Sequence, residues 1–332
     1  MMLIDRIDAI RKANERFNLL DNSYLSFSGG KDSTIVHYLL DEALPGNNIP
    51  RVFIDTGIEF AEIRNFVLGL ARKDPRFIIL APSVPIKRML EEEGYPFKSK
   101  EFSRCADDYQ KRKELIGRFA NMSSEEVKEY MLTHKEYERT LLGRGVFVIY
   151  FLHDIRAKRN KEGLLLGFDD ASKFKHPKQL EPVFNPDFPL KISNICCQRL
   201  KKDPVKKWQK ENRKSIAITG LRRDEGGRRQ NIAGCIITDS KGNPRMFHPL
   251  LPTPANWETW YAEARQIEFC KLYYPPFNFR RTGCKGCPYA LDLQEQLDLM
   301  EEHLPQEKRQ CEIIWKPVYD EYRKLNYRLK GK

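Results

Sequence analysis

The sequence predicts an α/β protein built on a doubly wound, mostly parallel sheet, with a helical insertion and a cysteine-bearing C-terminal region. Strand-like apolar stretches around Tyr24–Phe27, Arg51–Asp55 and Phe77–Leu80 alternate with segments of helical period, the pattern of parallel pairing. Two turns rich in polar residues, Ser28–Ser33 and Asp55–Gly57, fall at the carboxyl ends of the first two strands, where such sheets bind ligands. At 332 residues the chain can hold one large α/β domain with appendages, or two domains.

The elements follow in order. Leu3, Ile4, Ile7, Ile10 and Phe17 recur at helical spacing with charges between them, which makes the start an amphipathic docking helix. A signal peptide would need an uninterrupted apolar core, and no run approaches the length of a membrane span. A soluble cytoplasmic protein without a membrane partner is the expectation. Ile35, Val36, Leu39 and Leu40 mark a helix after the first strand, and Ala61–Leu70 another after the second. Residues 86 to 160 read as charged and helical, with Ser123-Ser124-Glu125-Glu126 as a helix start, because hydroxyls cap and acids favour the first turn. A proline-bearing connection spans 167 to 191. The sheet resumes at Ser215–Thr219, and Ile236–Thr238 is expected to pair with Phe247–Leu250 around Lys241-Gly242-Asn243. From Trp257 the chain reads as helical apart from a loop at Pro275–Pro288. The expected organisation is therefore 1–85 and 191–255 as the two parts of the α/β core, 86–190 as insertion and connection, and 256–332 as the C-terminal region.

The first turn, Ser28-Gly29-Gly30-Lys31-Asp32-Ser33, carries the chemistry. Glycine lets a backbone approach a ligand closely, Lys31 adds a cation, and the next helix offers free N–H groups. Together these suit phosphate. The common phosphate-loop pattern G-x-x-x-x-G-K-[ST] does not fit, since Leu25 and Asp32 stand where glycine and a hydroxyl are needed.

A formal charge of +12 points to anionic partners, nucleotides or nucleic acid. Its densest stretch, Arg199–Lys214, reads mostly as a solvated helix face. Arg222, Arg223, Arg228 and Arg229 follow Gly220 at the end of a strand, and guanidinium forks match phosphate or sulfate oxygens. Arg222 and Arg223, then Arg228, are the candidate anion ligands. The histidines form no recognisable catalytic set.

Eight cysteines in a chain without signs of secretion suggest thiols or a metal site rather than disulfides. Cys284-Lys285-Gly286-Cys287 bends two thiolates toward one centre. The tandem pair Cys196-Cys197 suits a single zinc poorly, because neighbouring side chains diverge, whereas an iron–sulfur cube accepts thiolates from several directions. Zinc and free thiols stay as alternatives. Cys105, Cys235, Cys270 and Cys311 have no partner at ligand spacing and read as small buried hydrophobes.

The cluster at Ser28–Ser33 resembles the SGGxDS PP-loop of ATP pyrophosphatases. Val52–Phe60, with Asp55-Thr56-Gly57, resembles the second strand and turn of the phosphoadenosine-phosphosulfate (PAPS) reductase family. Ile218–Gln230 is similar to that family's TGLRR segment, and Cys-Cys…C-x-x-C resembles its [4Fe-4S] ligand set. The likeness covers residues 20 to 80 and 190 to 290. It implies a Rossmann-like, adenine nucleotide α-hydrolase-like fold. It also implies nucleotide binding by Ser28, Gly29, Gly30, Lys31, Asp32, Ser33, Asp55, Thr56, Gly57 and Gly220, with Lys31, Asp32 and Ser33 catalytic. Cys196, Cys197, Cys284 and Cys287 would hold a [4Fe-4S] cluster.

Two enzyme classes follow. One is an ATP pyrophosphatase that adenylates an acceptor with ATP and Mg2+ in sulfur transfer; a sulfur-donor protein and a tRNA or DNA are the partners this brings in. The other is a sulfonucleotide (APS or PAPS) reductase that releases sulfite. The reductases carry a nucleophilic cysteine in a C-terminal ECG motif; here the nearest candidate, Cys311, sits in an ordinary amphipathic pattern with no Gly-x-His after it. A non-catalytic, metal-stabilised nucleotide sensor is the third reading.

Overall fold

Strand β1 (Ser23–Ser26) is buried along most of its length and takes the centre of a six-stranded sheet. These features come from a computed structural model that describes residues 3–135, 144–170 and 177–331. The chain divides into two compact units. The first comprises Met1–Ile86, Cys197–Lys285 and Leu299–Glu307; the second comprises Lys87–Cys196, Gly286–Asp298 and Lys308–Lys332.

The sheet belongs to the first unit. Its other members are β2 (Arg51–Ile54), β3 (Phe77–Leu80), β6 (Ile216–Ile218), β7 (Ile236–Thr238) and β8 (Pro244–Phe247), in the order β3-β2-β1-β6-β8-β7. β1 runs parallel to both β2 and β6, and only β7 is antiparallel to its neighbour. Successive strands β1 to β3 step one way and β6 to β8 the other. The reversal lies between β1 and β6, and a crevice at their carboxyl ends is where this class of sheet binds ligands.

Helix α1 (Leu3–Phe17) buries Ile10, and after the short helix α2 (Leu19–Asn22) and β1 comes α3 (Lys31–Ala43). α3 has Ile35, Val36, Leu39 and Leu40 fully buried, the face that the spacing predicts. Helix α4 (Ala61–Ala71) follows β2. Beneath α3 the guanidinium of Arg51 is fully buried; it meets Asp41 at 2.7 Å and donates to His37 Nδ1 at 3.1 Å. Burial, with Arg51 beside it, lowers the His37 pKa to about 4.

Within the second unit, the helix Ser124–Thr133 starts at Ser123 in a full capping box with Glu126. The continuation of that predicted helix through 136–142 lies outside the described residues, as do 171–176 of the expected connection. No helix among the described residues is long and apolar enough to cross a membrane.

Three expectations are corrected. The region read as wholly helical ends in an antiparallel hairpin, β4 (Ile155–Arg159) with β5 (Leu165–Asp170), closed where Gly163 N–H donates to the Asn160 carbonyl. The strand paired with β7 is Pro244–Phe247, not Phe247–Leu250. Asp239 closes a tight turn by accepting from the N–H groups of Lys241 and Asn243, so pairing resumes at once, and His248–Leu251 turns away. Finally, the helix Ala255–Ala264 stops early. Apart from a turn at Lys271–Tyr273, the chain is irregular until Leu293–His303, which leaves a longer loop than Pro275–Pro288. Prolines at 275, 276 and 288 remove helix donors there.

Candidate active site

The turn after β1 is drawn tight by its own hydroxyls. Ser33 Oγ donates to the Gly30 carbonyl at 3.0 Å, accepts from Ser28 N–H at 3.2 Å and lies 3.1 Å from Ser28 Oγ. Thr34 Oγ1 also donates to the Gly30 carbonyl. Two glycines are required. Gly29 has φ +73°, and a Cβ there would sit 2.9 Å from Ile63 Cγ2 in α4. Gly220, just after β6, comes so near the first turn of α3 that a Cβ would stand 2.8 Å from Asp32 atoms. The "TG" after one strand is thus the counterpart of the loop after the other, and the two meet at the switch point.

Ser28, Gly30, Lys31, Asp32 and Ser33 open into a cavity of about 1070 Å3. Arg222, Arg280 and Arg281 also line it. Lys31 Nζ rests over the rings of Tyr273 and Phe269, 4.9 and 5.9 Å from their centroids. Arg222 is enclosed by carboxylates: Nε is 3.0 Å from Glu258 and 3.5 Å from Asp32, and Nη1 is 2.7 Å from Asp224. Glu258 itself is buried; burial and the adjacent Asp32 push its pKa up to about 9, against the pull of Arg222. Neither Arg222 Nε nor Glu258 Oε1 has a well-aligned hydrogen bond.

Arg223 has a different place. It is exposed and donates to the carbonyls of Ile232 and Ala233, stapling its own loop. The side chain of Arg228 lies outside the described residues. Of the three expected anion ligands, then, Arg222 alone is seen in the cavity.

The Asp55-Thr56-Gly57 turn is mostly occupied with itself. Thr56 Oγ1 and N–H both donate to Glu59, Gly57 N–H donates to Asp55 at φ +78°, and Asp55 pairs with Arg64 at 2.5 Å. The value of the turn is to position Glu59. Glu59 meets Lys201 at 3.3 Å, and its backbone bridges Cys284.

Lys201 stands one helical turn beyond Cys197, on the wide turn Gln198–Lys202. Burial opposes its charge, but Cys284, Glu59 and Cys197 outweigh this and raise its pKa; burial likewise raises that of Cys284. In the first unit, therefore, Cys197 and Cys284 act on one lysine. In the second unit, Gly286 at φ +61° turns the backbone against Cys311, where an added Cβ would lie 2.7 Å from its sulfur, and Tyr319 donates to the Gly286 carbonyl. Cys196 and Cys287 also belong to this unit. Cys105, Cys270 and Cys311 are buried as expected, whereas Cys235 is partly exposed. Among the described residues no group of three or more metal-ligating side chains is set to hold an ion.

Sequence reasoning missed Glu258, Tyr273, Lys201, Arg280 and Arg281. The last two were legible in principle, as Arg280-Arg281-Thr282-Gly283 runs directly into the C-x-x-C motif. Glu258 and Tyr273 had no local signal.

A second cavity of about 790 Å3 adjoins the loop at Ser28 and Thr282, residues common to both. Its floor is one face of the sheet, and its wall is the lysine-rich helix Asp203–Glu211.

An uncharacterized protein of Methanocaldococcus jannaschii is 30% identical over 94 residues, which are 28% of this chain and only 22% of that relative's length. A PAPS reductase from Candida auris in complex with phosphate aligns at 14% identity and TM-score 0.42, covering 84% of this chain and 87% of that one. A U34-tRNA thiolase from Methanococcus maripaludis, solved with its [4Fe-4S] cluster, aligns at 13% identity and TM-score 0.35, covering 99% and 80%. At these scores the two structures bear on neither fold nor reaction. The phosphoadenosine phosphosulfate reductase domain model matches residues 22–118 and 166–290, which include the glycine loop, the Asp55 turn, the arginine segment and all four motif cysteines. The chain belongs to the phosphoadenosine phosphosulfate reductase domain family of enzymes.

Proposed function

We propose that the protein binds ATP with Mg2+ in the Ser28–Ser33 loop and cleaves it to AMP and pyrophosphate, adenylating an acceptor for sulfur transfer. The observation that carries this is the joining of the glycine loop, Lys31, Arg222, Arg280 and Arg281 in one cavity at the switch point of the sheet. An acceptor oxygen attacks the α-phosphorus, the bond from that phosphorus to the bridging oxygen breaks, and pyrophosphate leaves with the electron pair. The acceptor's proton passes to water. Negative charge grows on the leaving pyrophosphate, where Lys31, the loop N–H groups and the arginines neutralise it. Ser33 holds the loop rather than attacking. Lys31 must first leave the face of Tyr273, so phosphate competes with the ring for the ammonium. A sulfur nucleophile would then displace AMP.

The proposal keeps Cys196, Cys197, Cys284 and Cys287 as ligands of a [4Fe-4S] cluster, on the spacing of the two motifs and on the thiol character of the donors. The cluster would supply a thiophilic iron to the sulfur step. Anaerobic purification with iron and sulfide analysis tests it; stoichiometric zinc without iron would reassign these cysteines to a structural role.

The reductase reading needs a mobile thiolate. Cys311 is fully buried on the helix Pro305–Ile314, packed against Gly286, and is poorly placed for that task. Incubation with α-labelled ATP, with and without RNA or DNA, is the deciding experiment. Acceptor-dependent AMP release is expected, and sulfite release from PAPS without any ATP turnover would reverse the choice.

A further inference from the structure

The second cavity has a charge pattern that the proposed ATP chemistry does not use. Its floor is apolar and aromatic: Tyr24, Val52, Phe53, Ala217 and Met246, from the strands on either side of the switch point. Its wall carries Lys202, Lys206, Lys210 and Arg213. These cations lie four, four and three residues apart, on one stripe of the helix and its C-terminal extension. At 1.5 Å rise per residue the three lysines stand roughly 6 Å apart along the axis. Among the described residues none of the four has a carboxylate within ion-pair distance, whereas the neighbouring Lys201 and Arg245, which line the same cavity, pair with Glu59 and Asp239.

The helix also sits loosely on the sheet. It buries none of its residues, and its main aromatic contact is Trp208 against Tyr24 at 5.5 Å between centroids. Here cations edge an open space above apolar strands.

We infer that this cavity binds a single-stranded polynucleotide, with successive phosphates on the Lys202–Arg213 ladder and bases against the sheet. Unpaired cations at regular spacing suit a regular polyanion, and an apolar floor with Ala217 and Met246 partly exposed suits base faces, which an acidic peptide lacks. Ser28 and Thr282 border both cavities, so a strand lying here would bring one nucleotide to the phosphate loop. That last placement rests on the proposed adenylation; strand binding does not.

The test is fluorescence anisotropy of a short labelled oligonucleotide with the full chain, without ATP, across a salt series. Single-stranded RNA and DNA of one sequence form separate arms, and the tighter arm names the natural source. The variant Lys202→Gln/Lys206→Gln/Lys210→Gln changes exposed side chains, and its thermal midpoint checks folding. It should lose at least about tenfold in affinity, with the slope of log K against log salt shallower by about 2, near 0.7 for each lost phosphate contact. Its ATP binding should be unchanged. Equal affinity and slope in the variant, absence of binding by the wild type, or displacement of the strand by polyglutamate as readily as by unlabelled strand would each overturn the inference. Lys31→Ala separates the two ideas, because it should lose ATP and keep the oligonucleotide.

Discussion

The two cavities of the first unit are both rich in cations but balance them differently. Around the Ser28–Ser33 loop two of the arginines have carboxylates beside them: Arg222 has Asp32, Asp224 and Glu258, and Arg281 has Glu225 at 3.2 Å. Along the Asp203–Glu211 helix Lys202, Lys206 and Lys210 have none among the described residues. Paired charges hold side chains in fixed directions before a ligand arrives, which serves a reaction that stabilises charge at one place. Unpaired charges on exposed, flexible stems give affinity for a polyanion with little geometric demand. Under the two proposals, the difference separates a site for chemistry from a surface for recruitment.

The largest effect that would break this comparison is at Lys31. Lys31→Ala should lower ATP-dependent turnover by about a hundred- to a thousandfold, the scale for losing one group that meets developing charge, with an unchanged circular dichroism spectrum. Normal turnover in a folded variant would remove the phosphate-loop reading.

Gly220→Ala comes next. The new methyl collides with backbone as well as side-chain atoms of Asp32, so the first turn of α3 has to shift. A cost of about 1–3 kcal/mol is expected from overpacking, together with weaker ATP binding. Denaturant unfolding and calorimetric titration measure the two; strand binding should be spared.

The pH dependence sharpens the electrostatic half of the comparison. The Glu258 pKa is raised to about 9 by burial and by Asp32. The folded state then holds a proton that the unfolded chain releases near its ordinary carboxyl value. The contribution is full below that value and is lost as pH rises toward about 9. Glu258→Gln, which keeps the neutral form, should flatten the fall in thermal midpoint between pH 6 and pH 9, to be read in a melting series. An unchanged slope would show that Glu258 is ionised in the folded protein.

The smallest effect is expected at Arg223→Ala. Loss of its bonds to the Ile232 and Ala233 carbonyls should cost about 1 kcal/mol and leave ATP affinity nearly unchanged, whereas Arg222→Ala should weaken ATP binding markedly. Equal losses at both arginines would show that the exposed one also reaches the nucleotide.

How much could be read in advance follows from range along the chain. The α3 face needed only helical period, and the loop residues Ser28, Gly30, Lys31, Asp32 and Ser33 form one contiguous motif, so both were visible locally. The β4–β5 hairpin was missed because Ile155–Arg159 is short and charged along most of its length. Arg51 was read simply as the start of a strand. Its burial depends on Asp41, His37 and Asn47 arriving from α3 and the following turn.

By itself the sequence determined the parallel α/β core, the glycine loop at the end of β1 and the family, because each is written in neighbouring residues. Tertiary structure alone decided which charges act together. It set Glu258 and Tyr273 against a loop more than two hundred residues earlier, sent Arg222 inward and Arg223 outward, and opened a cavity beneath a helix that reads as an ordinary solvated face. Coulomb interaction and desolvation depend on distance through space, and sequence spacing does not encode that distance between segments joined only by folding.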